Sequence, residues 1–240
     1  MKPQRGNILF LILLAVVLFA ALSYAVTQGM RGGGNDAGPE KARTIAAEIL
    51  NYATLMEQTI NRLRVSGGCT PVQISLENTV ESGYANAYSP VDKHCNVFDP
   101  AGGGMSWKTP DINWLIPYAD TATFVYAGAD HGKFNIPLNV CVDGLARPCN
   151  GSDSASKQII LGLKWLRRDV CEAINLSIGN TGADYTNMQV CSQAGDSGRH
   201  TGIFPASGIF SCGVSTAGKR TGCVYSSRSG YTFYHVLLTQ

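Results

Sequence analysis

Residues 39–66 read PEKARTIAAEILNYATLMEQTINRLRVS, and the spacing of their apolar side chains decides the fold. Ile45, Ile49, Tyr52, Met56, Ile60 and Leu63 recur at intervals of three and four, with Ala42, Ala46 and Ala53 beside them. In a helix those intervals place every one of these side chains on a single stripe. Arg43, Glu48, Asn51, Gln58 and Arg62 fall on the other faces. Pro39 suits a helix start, where its missing N–H has no partner to lose, and Glu40 complements the positive end of the helix dipole. Gly67 and Gly68 close the pattern. A stripe of this kind must be buried, and the expectation is a helix over 39–66 lying on the sheet of its own domain.

The sheet has to come from downstream. Val72, Ile74 and Leu76 alternate as in a half-buried strand, and Ile159-Ile160-Leu161-Gly162-Leu163 reads as a second. Residues 231–238, Tyr-Thr-Phe-Tyr-His-Val-Leu-Leu, are aromatic and β-branched enough for a third. Residues 167–175 read as a short helix. Between these, 83–120 and 191–230 are dominated by Gly, Pro, Asn, Asp and Ser and read as long loops. No internal repeat is present.

Eight cysteines lie in this part of the chain: Cys69, Cys95, Cys141, Cys149, Cys171, Cys191, Cys212 and Cys223. Their number is even and none has CxxC spacing, so disulfides formed in an oxidising compartment are the economical reading. The expected pairs are Cys69 with Cys95, Cys141 with Cys149, Cys171 with Cys223, and Cys191 with Cys212. Four histidines are too few to argue for a metal cluster. The net charge of +2, with 15% charged residues, gives no basic field for nucleic acid.

Upstream of the helix the chain changes character. Residues 29–38 contain Gly32-Gly33-Gly34 and read as a flexible joint. Before them, Ile8 to Val26 is apolar apart from Ser23 and Tyr24, long enough to span a bilayer as a helix. Lys2 and Arg5 precede it without an acid, so the N-terminus should stay cytoplasmic and the cysteines should end up outside. Ser23-Tyr24-Ala25 offers a small-x-small cleavage site, but the apolar run is longer than most signal-peptide cores.

Arg5-Gly6 followed directly by an apolar helix resembles the leader of type IV pilins and pseudopilins. The resemblance implies that a prepilin peptidase cuts after Gly6 and that Asn7 becomes a methylated N-terminus. It also implies that the apolar helix is kept, first as a lipid-embedded anchor and then as packing surface against other pilin-like subunits on an inner-membrane assembly platform. Leu11 stands where most members carry a glutamate, which points to a minor or accessory subunit. The expected organisation is a basic leader at 1–6, a transmembrane helix at 7–28, a joint at 29–38 and an extracytoplasmic head at 39–240. The fold class is α+β: the transmembrane helix, the joint, and the long helix packed on a disulfide-braced antiparallel sheet with long loops. The expected function is structural, with no catalysis, cofactor or nucleic acid. The place is the inner membrane, single pass, with the head in the periplasm or at the cell surface.

Two alternatives are a secreted disulfide-rich binding domain left after signal-peptide removal, and a tethered or secreted serine hydrolase. The second rests on Gly195-Asp196-Ser197-Gly198, which looks like the nucleophile turn of chymotrypsin-type serine proteases, and on His94-Cys95. Asp120, Asp130 or Asp143 would orient the histidine. Arg199 stands where that family has a second glycine, and the clearest helix occupies what should be strands, so an ordinary turn is the favoured reading. Gly102-Gly103-Gly104 lacks the context of a phosphate loop, and Asp92, Asp99 and Asp111 are too scattered for a calcium loop. Trp107, Trp114 and Tyr118 offer either an aromatic patch for a sugar or partner, or a satellite core, with the core favoured.

Overall fold

The computed structural model describes Phe10, residues 12–21, Ser23, residues 37–124, Gly128, residues 130–138, Val142, residues 144–145, 158–180, 192–193, 198–204, 210–211, 218–226 and 229–239. The chain divides into two compact units, Met1–Lys41 and Ala42–Gln240. In the first, Phe10, residues 12–21 and Ser23 are helical and exposed. Among the described residues no helix is long and apolar enough to cross a membrane, and the expected span 7–28 lies partly outside them.

Helix α1 runs over Ala37–Val65, close to the expected 39–66. Pro39 falls in its first turn, where backbone N–H groups have no intrahelical acceptor. The apolar stripe is buried along its length: Ala46, Ala53, Met56 and Ile60 are fully enclosed, and Ile45, Ile49, Tyr52 and Leu63 nearly so. All belong to one core that also holds the central residues of the sheet.

That sheet is antiparallel, with strand order β1-β2-β6-β5. Its members are β1 (Phe134–Asn135), β2 (Gln158–Leu166), β5 (Thr221–Ser226) and β6 (Gly230–Thr239). The pair β3 (Ser192–Gln193) and β4 (Phe210–Ser211) forms a separate two-stranded ladder. Cross-strand partners share a face, so the register Phe134–Leu163–Phe233–Cys223 defines a row on one side of the main sheet. Tyr52 of α1 packs its ring 5.0 Å from that of Phe134, which identifies this side as the one α1 covers. On the opposite side Gly222 lies across from Tyr234, and a Cβ at Gly222 would meet the tyrosine ring at 2.9 Å. The glycine lets the ring lie flat over β5.

Strand β2 is not regular. Between Leu163 and Leu166 it spends one residue more than β6 does, a bulge in which Trp165 takes a left-handed φ of 66°. Both Lys164 and Trp165 are buried as a result.

Helix α2 (Arg168–Ser177) agrees with the expected short helix and is fixed to the edge strand β5 in two ways. Cys171 is disulfide-bonded to Cys223. The Asn175 amide donates to the Cys223 carbonyl at 2.8 Å and accepts from its N–H at 2.9 Å. One side chain thus satisfies both edge groups of Cys223, which lie on the side of β5 away from β6, as a further strand would.

The Cys69–Cys95 bond is also present, joining the exit of α1 to the loop after it. Both agree with the expected pairings, whereas Cys141, Cys149, Cys191 and Cys212 lie outside the described residues. The expected strand at Val72–Leu76 is not formed. Residues 71–73 form a turn instead, and beyond it Ser75 makes a single parallel bridge to Asn96.

Asn175→Ala strands a buried N–H and a buried C=O on Cys223 while leaving the disulfide in place. The expected outcome is a loss of about 2–4 kcal/mol in urea unfolding of the oxidised protein. Loss within experimental error would show that water takes over both groups.

Candidate functional site

Among the described residues, those singled out from sequence do not come together as one centre. Gly6, Asn7, Asp143 and Ser197 lie outside the described residues. His94 is half-exposed, with Nδ1 2.6 Å from Asp92 Oδ1, and the same oxygen accepts the His94 N–H at 3.3 Å. The His94 side chain and then its backbone N–H hold the Asp92 carboxyl below its ordinary range. The carboxylate on His94 is therefore Asp92, and the three aspartates considered for that role do not include it. Asp120 lies in the 3-10 helix Tyr118–Thr123. Asp130 instead accepts from Asn135 at 2.9 Å, from Lys164 at 3.3 Å and from Arg199. The Arg199 guanidinium also lies over the Tyr84 ring, 5.6 Å from its centroid. This is a charge cluster on the sheet's second side, where it ties the loop before β1 to the bulge of β2.

Cys69, His94 and Cys95 have potential ligand atoms within 4.8 Å of one another. Both sulfurs are in the disulfide, so neither offers the thiolate a metal would need. The calcium reading also fails on partners. Asp92 engages His94, Asp99 accepts the Ala101 N–H at 3.0 Å and lies 3.7 Å from Lys93, and Asp111 caps the 3-10 helix Ile112–Trp114. Gly102 and Gly103 pack against the carbonyls of residues 93–97, where a Cβ would come within 2.2–2.9 Å of backbone oxygen. Close backbone approach thus explains Gly102 and Gly103, while Gly104 takes a left-handed φ of 66°.

The three aromatic residues separate in the same way. Trp114 is buried with Lys108 over its ring, and Tyr118 stands edge-on to His131 at 5.4 Å. Trp107 is half-buried against Tyr84 and Phe98, at 5.5 and 5.2 Å. The satellite-core reading holds for Trp114, while Trp107 keeps an open edge.

A second arrangement had no local signal in the sequence. His235 of β6 is buried beneath α1, with Nε2 2.9 Å from Glu57 and Nδ1 2.6 Å from the Thr221 hydroxyl. An ionised Glu57 only accepts, so Nε2 carries the proton and Thr221 donates to Nδ1. Arg220 donates to Glu57 at 2.6 Å and to the Val236 carbonyl at 3.0 Å. Burial pulls the His235 pKa down, against the opposing pull of Glu57. Hydroxyl, imidazole and carboxylate form one hydrogen-bonded chain in which the imidazole is buried and Glu57 is partly exposed, and they lock helix to sheet. Thr221→Val is expected to cost about 1–2 kcal/mol, read from chemical unfolding.

His200 sits 1% exposed, edge-on to Phe204, and neither ring nitrogen has a hydrogen-bond partner among the described residues. Burial lowers its pKa from 6.5 to about 4. Since the unfolded chain takes up the proton first, stability is intact above pH 6.5 and is lost as pH falls toward 4. At pH 5 the loss is about 2 kcal/mol. His200→Leu is expected to flatten stability between pH 6.5 and 5, and to be neutral or stabilising at pH 7. An unchanged slope in that variant would assign it to other groups.

Comparison with family models, curated proteins and solved structures gives no match for this chain.

Proposed function

We propose that this protein is a membrane-anchored, minor pilin-like subunit of a filament or secretion apparatus, with a disulfide-braced head exposed for assembly or surface contacts. One observation carries the reading. Phe10, Ile12, Leu13, Leu14, Val16, Val17, Leu18 and Phe19 lie on a helical stretch and are each 47–76% exposed, on every side of it. A helix apolar all round needs an apolar environment, either lipid or copies of itself. The Arg5-Gly6 pair before it suits processing by a prepilin peptidase. Beyond the joint, an amphipathic helix on a disulfide-linked antiparallel sheet gives a compact head whose long loops are free for contacts.

In this reading the leader is cut after Gly6, and Asn7 becomes the methylated first residue of a single-pass inner-membrane protein. The anchor would then pack beside those of other pilin-like subunits on the assembly platform. No residue of the head takes part in chemistry.

Intact mass and N-terminal sequencing of the protein extracted from membranes test this directly. The expected chain begins at methylated Asn7, and Gly6→Val is expected to leave Met1 in place with membrane association retained. A mature chain beginning at Val26 would mean that the apolar segment is discarded, and would overturn the proposal.

A further inference from the structure

A cavity of about 420 Å³ opens between the turn at Glu77–Val80, the segment Lys93–Pro100 and the strap Met105–Trp107. Its size lies in the range of about 300–1,000 Å³ usual for small-molecule sites. Its floor is built from the edge-to-face pair Phe98 and Trp107, with Met105 beside them. Tyr84 backs Trp107 from the core side and is itself 1% exposed, so the indole is held by packing.

The polar groups are what identify the occupant. Asn96 is 3% exposed and lines the cavity. Its Oδ1 is committed to the Phe98 N–H at 2.8 Å, which fixes the amide orientation. Its Nδ2 donates to nothing among the described residues, yet it is not among the enclosed unsatisfied atoms, so it faces open space. A nearly buried amide with a free donor on a cavity wall is a group waiting for an acceptor. Glu77 also lines the cavity, and its carboxylate makes no hydrogen bond or ion pair among the described residues, which leaves its acceptors free. The Trp107 indole N–H is a further donor without a partner among them. Lys93 and Asp99 face each other at 3.7 Å and largely cancel.

These groups exclude two classes of ligand. An anion would meet two carboxylates against one ammonium, and a purely apolar ligand would leave Asn96 Nδ2 and Glu77 desolvated. What fits is a neutral molecule with one apolar face for the Trp107–Phe98 floor and a rim of hydroxyls that both donate and accept. We propose that this cavity binds a single neutral pyranose residue, stacked on Trp107 and hydrogen-bonded by Asn96 and Glu77. The assignment does not rest on the filament reading, since the head would carry the same cavity if it were secreted.

The test is a titration of the full-length chain, held in a detergent without a sugar headgroup, with N-acetylglucosamine, galactose, glucose and mannose in turn. The chain has three tryptophans, so their indole N–H signals separate in proton–nitrogen spectra, and Trp107→Phe assigns the relevant one. At least one sugar is expected to move the Trp107 signal saturably, with a dissociation constant on the order of 1 mM, while the buried Trp114 and Trp165 stay still. Asn96→Asp keeps the bond to Phe98 and removes the donor. Glu77→Gln alters an exposed side chain and leaves the fold intact. Each is expected to weaken binding about tenfold. No saturable shift with any of the four sugars overturns the proposal. So does a Trp107 shift that appears only with inorganic phosphate or a short peptide, or binding that is unchanged in Glu77→Gln.

Discussion

The docking of α1 on the sheet is the contact on which the head depends. Ile45, Ile49, Tyr52, Met56, Ile60 and Leu63 contribute large side chains to that contact, and Ala46 and Ala53, both fully buried, let the helix axis come close. At about 1.5–3 kcal/mol for each large side chain removed from water, this stripe outweighs any single polar contact in the structure. The sheet cannot hide its own face, because only β2 and β6 are long. The polar lock at Glu57, His235 and Thr221 then fixes how the helix is seated, since only one placement satisfies all three groups together. Burial drives the association and the lock selects its register.

Away from that interface, regular ladders give way to side chains that hold turns. Asn78 accepts from the N–H groups of Val80 and Glu81, Asn86 donates to the carbonyls of Val72 and Ile74, and Asn96 and Asp99 accept from Phe98 and Ala101. Each replaces a strand partner for a nearby backbone group, at the cost of one side chain's freedom. The Cys69–Cys95 bond ties this region to the end of α1, where few ladder bonds could. The loops are long in sequence yet tightly braced, which is what a surface needs to present fixed groups.

What the sequence made legible were features with a local period or composition. The α1 stripe spans many turns, and the cores of β2 and β6 are β-branched and aromatic runs; the two described disulfides agree with the expected pairs, although Cys171 passes over nearer cysteines to reach Cys223 and spacing alone does not select it. Val72, Ile74 and Leu76 have the same alternation as a strand, but Asn86 claims the carbonyls of Val72 and Ile74, and among the described residues the pairing there is limited to the single bridge of Ser75 to Asn96. The bulge at Lys164–Trp165 has no signature because it is the partner strand, one residue shorter, that creates it. Glu57 and His235 are separated by 178 positions, and Asn175 and Cys223 by 48, so nothing near either residue announces the pair. The disfavoured triad alternative needed pairings of the same long-range kind, and its Ser197 lies outside the described residues. His94 takes the carboxylate two residues away, and Asp130 is claimed by cations that only the fold delivers.

The polar groups of the head fall into two kinds, and the difference bears on function. Those at the α1–sheet interface, at Asp130 and at the edge of β5 close on one another, and each removes a cost that burial would otherwise impose. Groups of that sort explain stability without a ligand. Asn96 Nδ2 is different: its partner atom is used, its side chain is almost wholly enclosed, and the space in front of it is open. Stability alone would be served better by an apolar residue or by a second bond. A site kept open at that cost, on a floor of packed aromatics, sits in the braced loops and not in the core. Phe98, Met105 and Trp107 pack against the outside of that core, so the burial that holds the head together also fixes the floor on which the open amide stands.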